Sequence, residues 1–267
     1  MPQSLRRRFL KHREPLDMAE EVILKVEKLN KAFGGLKATN NISYKMTTGE
    51  ISAIIGPNGA GKSTFFNLLT GYHSVDSGNI FFKGINITNW PPYRITRLGI
   101  ARAFQVSNIY PRLTTYENVR QAILSQQKKT LDFFTPAHRL AKKETQELLE
   151  ITGLSQQSDI TAGNLSQGDK KRLELAIALG SKPDLVFLDE PTAGMSGEET
   201  HETMEFVKRL NEEIGLTILF TEHDMSVVFG YARRLTVLHQ GTVIAEGTPE
   251  EVRTNEEAQR VYLGEET

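Results

Sequence analysis

Apolar and polar residues alternate from Val22 to Glu27, which predicts a first strand, and a Phe33-Gly34-Gly35 turn separates it from a second over Ile42 to Met46. After the Thr47-Thr48-Gly49-Glu50 turn, alternation gives way to the near-continuous apolar run Ile51-Ser52-Ala53-Ile54-Ile55, the pattern of a strand covered on both faces. Ile80 to Ile87, broken at Lys83-Gly84, predicts a pair of short strands. Between Pro91 and Ser181 the pattern is mostly helical. Leu148, Leu149, Ile151 and Leu154 fit a helix ending near Gly153, and Leu173 to Leu179 fits another. Buried strands return at Leu185-Val186-Phe187-Leu188 and at Leu216 to Phe220. Arg234 to Leu238 and Val243 to Glu246, joined through Gln240-Gly241, predict a closing hairpin. There is no internal repeat and no low-complexity linker. The expected fold class is α/β, with a central parallel sheet, an antiparallel β flank and a helical subdomain over about residues 106–180. Residues 21–267 are expected to form one domain behind a basic tail over 1–20.

The run that ends at Ile55 is followed by Gly56-Pro57-Asn58-Gly59-Ala60-Gly61-Lys62-Ser63-Thr64, which fits G-x-x-x-x-G-K-S/T without a mismatch. A helical pattern, Thr64 to Leu69, comes next. A strand, a glycine-rich loop and a helix in that order make a phosphate-binding element: the glycines let backbone N–H groups converge on phosphate oxygens, and the helix N-terminus adds its dipole. Lys62 is placed to reach the β- and γ-phosphates, and the Ser63 hydroxyl to ligate Mg2+. The bland alternative is a glycine-rich turn that binds nothing. On this element alone the ligand is ATP or GTP.

Two carboxylates, Asp189 and Glu190, end the apolar strand Leu185 to Leu188. The C-terminal edge of a buried strand is where α/β sheets place active groups. Asp189 is expected to hold Mg2+, directly or through water, and Glu190 to polarise the water that attacks the γ-phosphate. The next apolar strand ends in Thr221-Glu222-His223-Asp224, which puts His223 at the same sheet edge, where a neutral imidazole can hydrogen-bond the γ-phosphate or position the water. Asn164-Leu165-Ser166-Gln167-Gly168-Asp169 directly precedes a helical pattern, so Ser166 and Gly168 form a second anion-binding element. One ATP has one γ-phosphate, and a second element suggests completion of a site on another subunit. Ser-x-Gly before a helix is also a good N-cap and can be only that.

Composition removes several classes. The 267 residues include no cysteine, so disulfides, thiolate metal sites and cysteine nucleophiles are excluded. A net charge of −1 gives no overall electrostatic case for nucleic acid. No apolar run approaches the roughly 20 residues of a transmembrane helix, so any work at a membrane requires docking onto something that spans it. The basic cluster Arg6-Arg7-Arg8-Phe9-Leu10-Lys11-His12-Arg13 has no apolar core of signal-peptide length. It reads as a solvated tail, with a basic arm touching anionic lipid or a partner as the alternative.

With these motifs in this order, residues 22 to 264 resemble the nucleotide-binding subunit of an ABC transporter. The resemblance implies further roles. Gln105, in Ala103-Phe104-Gln105, stands where the family has a glutamine that senses Mg2+ and the membrane partner. Phe33 stands where an aromatic, usually tyrosine, stacks on adenine. Leu165 to Asp169 is the signature element, reading Leu-Ser-Gln-Gly-Asp where the family usually has Leu-Ser-Gly-Gly-Gln; Ser166 and Gly168 are kept. Ser196 replaces an aspartate common in relatives, which bears on coupling between sites. The implied assembly is two ATPase subunits sandwiching two ATP molecules, docked peripherally on permease subunits at the cytoplasmic face of the plasma (inner) membrane. Tyr110, Pro111 and Leu113 are candidates for the permease contact, with ordinary loop packing as the alternative.

Shorter segments narrow the resemblance. Phe33-Gly34-Gly35-Leu36-Lys37-Ala38, Gly99 to Gln105, Leu131-Asp132-Phe133-Phe134 and Val261-Tyr262-Leu263-Gly264 are similar to one ATPase subunit of importers for branched-chain amino acids and related amides such as urea. This implies a similar but distinct second ATPase and a periplasmic or extracellular solute-binding protein in the same system. The alternatives are an ATPase of a lipopolysaccharide-type exporter and a soluble ABC ATPase such as an iron–sulfur assembly factor.

Overall fold

A computed structural model describes residues 21–103, 109–126 and 141–263. The chain starts with a long antiparallel pair, β1 (Val22–Phe33) and β2 (Leu36–Thr47), followed by β3 (Ile51–Ile55) and helix α1 (Lys62–Leu69). Next come β4 (Ser77–Phe82), β5 (Ile85–Asn86), α2 (Pro92–Leu98) and β6 (Ile100–Ala103). Three helices follow: α3 (Thr115–Gln126), α4 (Lys142–Ile151) and α5 (Gln167–Gly180). The remaining elements are β7 (Leu185–Asp189), α6 (Gly197–Ile214), β8 (Thr217–Thr221), α7 (Met225–Tyr231), β9 (Arg234–His239), β10 (Thr242–Gly247), α8 (Pro249–Thr254) and α9 (Glu256–Leu263).

These strands form two sheets, a four-stranded antiparallel one in the order β2-β1-β4-β5 and a six-stranded one in the order β10-β9-β3-β8-β7-β6. In the larger sheet β9, β3, β8, β7 and β6 run parallel, and only β10 is antiparallel. Register aligns the C-terminal ends: Asp189 pairs with Thr221, Ile54 also with Thr221, Ile55 with Val237 and Leu188 with Ala103. The turns after β3, β7 and β8 therefore emerge along one edge.

The unbroken apolar runs have a simple cause. Side chains alternate across each strand, and the six-stranded sheet is covered on both faces. Leu185 and Phe187 enter a core shared with the small sheet and α1, while Val186 and Leu188 enter the core under the helices. Phe187 is fully buried, its ring 5.2 Å from that of Phe66. Phe187→Ala is expected to cost roughly 3–5 kcal/mol through lost burial and a residual cavity. Equilibrium urea denaturation checks this; a loss below about 1 kcal/mol contradicts the packing described.

The antiparallel flank, both hairpins and the parallel core follow the expected pattern. The segment between Pro91 and Ser181 needs a correction, because it contributes β6 to the large sheet as well as helices. The strand is only Ile100-Ala101-Arg102-Ala103, and Arg102 interrupts its apolar face, so it carries no readable period. β1 also runs past Glu27 to Phe33. A register shift between Val26 and Leu29, with Lys28 at φ 47°, breaks the alternation there.

Candidate functional site

The loop after β3 is shaped by close backbone packing. Gly61, at φ 105°, ends the loop and caps α1, and a Cβ there would collide with the Ala38 carbonyl. The Gly241 N–H donates to the Ala60 carbonyl at 2.9 Å, pinning the loop to the β9–β10 turn. Lys62 is buried, and its Nζ donates to the carbonyl of Gly56 and, at 3.2 Å, to that of Pro57. Asn58, Gly59 and Ser63 are exposed. No acidic side chain stands in the first turn of α1 to compete with an anion.

A cavity of about 630 Å³ is lined by Phe33, residues 58–64 of the loop, Glu190 and His223, together with Leu36, Lys37, Ala38 and Gln240. Phe33 is 44% exposed and meets His73 edge-on at 5.2 Å; Lys31 Nζ lies 5.4 Å from its ring centre. Ends of β1, β3, β7 and β8 thus meet at one concavity.

Glu190 sits just beyond β7 in the left-handed region, at φ 51°, which is uncommon for a residue with a side chain. The Thr221 carbonyl, accepting from the Glu190 N–H at 3.0 Å, holds it there. His223 Nε2 and Glu190 Oε1 are 3.0 Å apart, with both side chains close to half exposed. Both are thus open to solvent.

Asp189 lies deeper. Its Oδ1 accepts from Thr221 Oγ1 at 2.6 Å and its Oδ2 from Arg102 at 2.7 Å. Arg102 also donates to Asn67 Oδ1 at 2.6 Å, and its guanidinium lies 5.7 Å from the Phe66 ring centre. Burial pushes the Arg102 pKa down, and the facing Asp189 charge opposes that shift.

Two of these residues carry no sequence signal of their own. Arg102 is an ordinary cation within a short strand. Glu222 is buried, with Oε1 accepting from the Thr192 N–H at 2.8 Å and hydroxyl at 2.6 Å, and Oε2 accepting from the His223 N–H at 3.1 Å. It ties the turn after Glu190 to the turn that carries His223. Adjacency to His223 was its one available clue. Gln240, at φ 45°, enters the cavity from the hairpin turn.

Ser166 and Gly168 stand apart from this cavity. Ser166 caps α5, its Oγ accepting from the Asp169 N–H at 3.1 Å, and a Cβ at Gly168 would meet nothing within 4 Å. Ser196 caps α6 in a reciprocal pair with Glu199, whose pKa is lowered by the Ser196 N–H and hydroxyl. Gln105 and the tail over 1–20 lie outside the described residues, as does Leu131 to Phe134.

The donor set suits a hard divalent cation. Among the described residues no group of three or more His, Cys, Asp or Glu converges on a metal. The Ser63 hydroxyl and the Asp189 carboxylate, the latter already paired with Arg102 and Thr221, are oxygen donors of the kind Mg2+ takes when phosphates and water supply its remaining ligands. No helix of the described residues is long and apolar enough to cross a membrane.

Comparison with known proteins agrees with this geometry. The ABC transporter family matches residues 39–193, and a family described as a branched-chain amino acid ATP-binding cassette transporter matches residues 242–267. The high-affinity branched-chain amino acid transport ATP-binding protein LivG of Salmonella typhimurium is 41% identical over 251 residues, covering 91% of this chain and 98% of that protein. BraF of Pseudomonas aeruginosa, of the same description, is 36% identical over 254 residues with the same coverage. Among solved structures, a nucleotide-free ATP-binding cassette from an ABC transporter superposes with TM-score 0.80 at 31% identity, covering 91% of this chain and 99% of that one. The ADP conformation of an ATP-binding cassette of an ABC transporter gives 0.81 at 32%, with the same coverage. The chain belongs to the ABC transporter family, as an ATP-binding subunit whose ATP hydrolysis energises transport across a membrane.

Proposed function

We propose that this subunit energises an importer of branched-chain amino acids or related amides. What supports the reading is likeness over nearly the whole chain: 91% of this chain aligns with 98% of a branched-chain amino acid transport ATPase. The match at residues 242–267 adds the same description at the C-terminal end.

In this reading the backbone N–H groups of Gly56 to Thr64 and the Lys62 ammonium hold the ATP phosphates, and Phe33 stacks on the adenine. Ser63, Gln105 and Asp189, the last directly or through water, would hold Mg2+, whose charge would offset that of the phosphate oxygens. Glu190 accepts a proton from the attacking water, and His223, at hydrogen-bond distance from it, orients that carboxylate and the water. Ser166, exposed, and Gly168, half-buried, lie outside the cavity of their own subunit and close over the ATP of a second ATPase subunit. That partner is similar but distinct, and the pair docks on transmembrane permease subunits at the cytoplasmic face of the membrane. Tyr110, 60% exposed, and its neighbours Pro111 and Leu113 face the permeases. A solute-binding protein outside the membrane delivers the substrate.

The test is to tag the protein, solubilise its native membranes in mild detergent, and identify what co-purifies. Two multi-spanning permeases with a second ATPase are expected. A single type of lipid-exporting partner redirects the function to export, and recovery with soluble assembly factors alone removes the transport reading while leaving the ATPase.

A further inference from the structure

The Arg102 side chain, on β6, links the phosphate-loop helix α1 to the end of β7. One guanidinium nitrogen donates to Asn67 on the phosphate-loop helix α1, at 2.6 Å. A second donates to Asp189 at the end of β7, at 2.7 Å, and the plane lies beside the Phe66 ring. The Arg102 side chain is 11% exposed and that of Asp189 7%, so water screens the pair weakly. Arg102 also lines a separate cavity of about 380 Å³ between α2, β6 and α5, whose lining includes Tyr72, Tyr93 and Glu174.

A buried ion pair is a poor source of net stability, because desolvation offsets the attraction. This one does something more specific. A carboxylate on a strand end can rotate about two bonds. With Thr221 on Oδ1 and Arg102 on Oδ2, each oxygen is held by one donor and keeps a lone-pair direction free. The guanidinium is planar and forked, so spanning Asn67 and Asp189 together ties carboxylate orientation to the position of α1, the helix that carries Lys62 and Ser63.

We propose that Arg102 is a positioning residue that sets the Asp189 carboxylate for the nucleotide's Mg2+. The inference rests on the reading of Asp189 as the metal-facing carboxylate. It assigns Arg102 a role in the metal-dependent part of nucleotide binding and none in holding the nucleotide itself.

The experiment titrates the purified protein with a fluorescent ATP analogue, once with EDTA and once with Mg2+. Wild type is compared with Arg102→Lys, Arg102→Met and Asp189→Asn, each also followed by thermal unfolding without nucleotide. In the Arg102 variants, affinity with EDTA is expected within about twofold of wild type. The gain on adding Mg2+ is expected to shrink about tenfold for Arg102→Met, the scale of one lost charge-assisted hydrogen bond. It should shrink about threefold for Arg102→Lys, since an ammonium keeps the charge but lacks the fork. In the Asp189→Asn background, Arg102→Met should change the Mg2+ gain no further. A wild-type Mg2+ gain in Arg102→Lys and Arg102→Met overturns the proposal. So does an equal loss with and without metal, which marks a purely structural role. If Arg102→Met does not fold, Arg102→Lys decides alone. A wild-type protein that binds no nucleotide overturns the proposed function and this inference together. Wild-type binding with an unaffected Mg2+ gain in the variants overturns only the inference.

Discussion

Glu190→Gln is expected to reduce ATP turnover by about 10²- to 10⁴-fold while leaving ATP affinity close to wild type. The amide matches the carboxylate in size, so the backbone at Glu190 and its 3.0 Å hydrogen bond to the Thr221 carbonyl should persist. An amide can also hydrogen-bond the imidazole that now lies 3.0 Å from Glu190 Oε1. It cannot take a proton from water. Positioning survives and base strength is lost, which separates the kinetic effect from the binding effect. Phosphate release under saturating ATP, paired with equilibrium nucleotide binding, reads the two quantities independently. Turnover at the wild-type rate would remove Glu190 from the role of base. Equal losses in binding and turnover would point to a disturbed loop. The exposure of Glu190 and His223 in a single chain fits a base that works once a second subunit closes over it.

Lys62→Ala is expected to weaken ATP binding itself, by about 10- to 100-fold, on the scale of one or two hydrogen bonds from a charged donor. The ammonium is buried and donates to the Gly56 and Pro57 carbonyls, so it holds the loop in shape, and in the proposed reading it also meets the phosphate oxygens. Alanine removes the charge and leaves those carbonyls without this donor. Fluorescence titration with an ATP analogue reports the affinity, and unfolding temperature reports whether the loop has loosened. Unchanged affinity would contradict the phosphate-binding role of Gly56 to Thr64. Together the two variants dissociate holding ATP from cleaving it.

Much of the architecture is legible along the chain because its signals are local. A strand covered on both faces must be largely apolar at successive positions, so Ile51 to Ile55, Leu185 to Leu188 and Leu216 to Phe220 stand out without knowledge of their neighbours. Turn residues mark both hairpins: Lys83-Gly84 and Gln240-Gly241 all have positive φ. β6 was not legible, since four residues interrupted by an arginine carry no period and become a strand only against β7. The site divides in the same way. Gly56 to Thr64 is one contiguous element with a spacing set by phosphate geometry, and Glu190 and His223 follow directly from strands that can be read. The functional consequence of Asp169 and Ser196 is not written in either residue alone.

By itself, then, the sequence determined the strand–loop–helix that makes a phosphate cradle, the carboxylates at a strand end, and the order of motifs that places the chain in its family. Each depends on residues within one turn or strand, where backbone stereochemistry acts directly. Tertiary structure alone decided that Arg102 bridges Asn67 and Asp189, the latter 87 positions away. It also decided that Glu222 locks the turn after Glu190 through Thr192, 30 positions distant, and that Glu190 adopts a left-handed backbone. These pairings follow from the strand order β3-β8-β7-β6, which is not the chain order. The reason is physical: strand order is selected by which arrangement buries both sheet faces, a property of the whole core that no local pattern encodes.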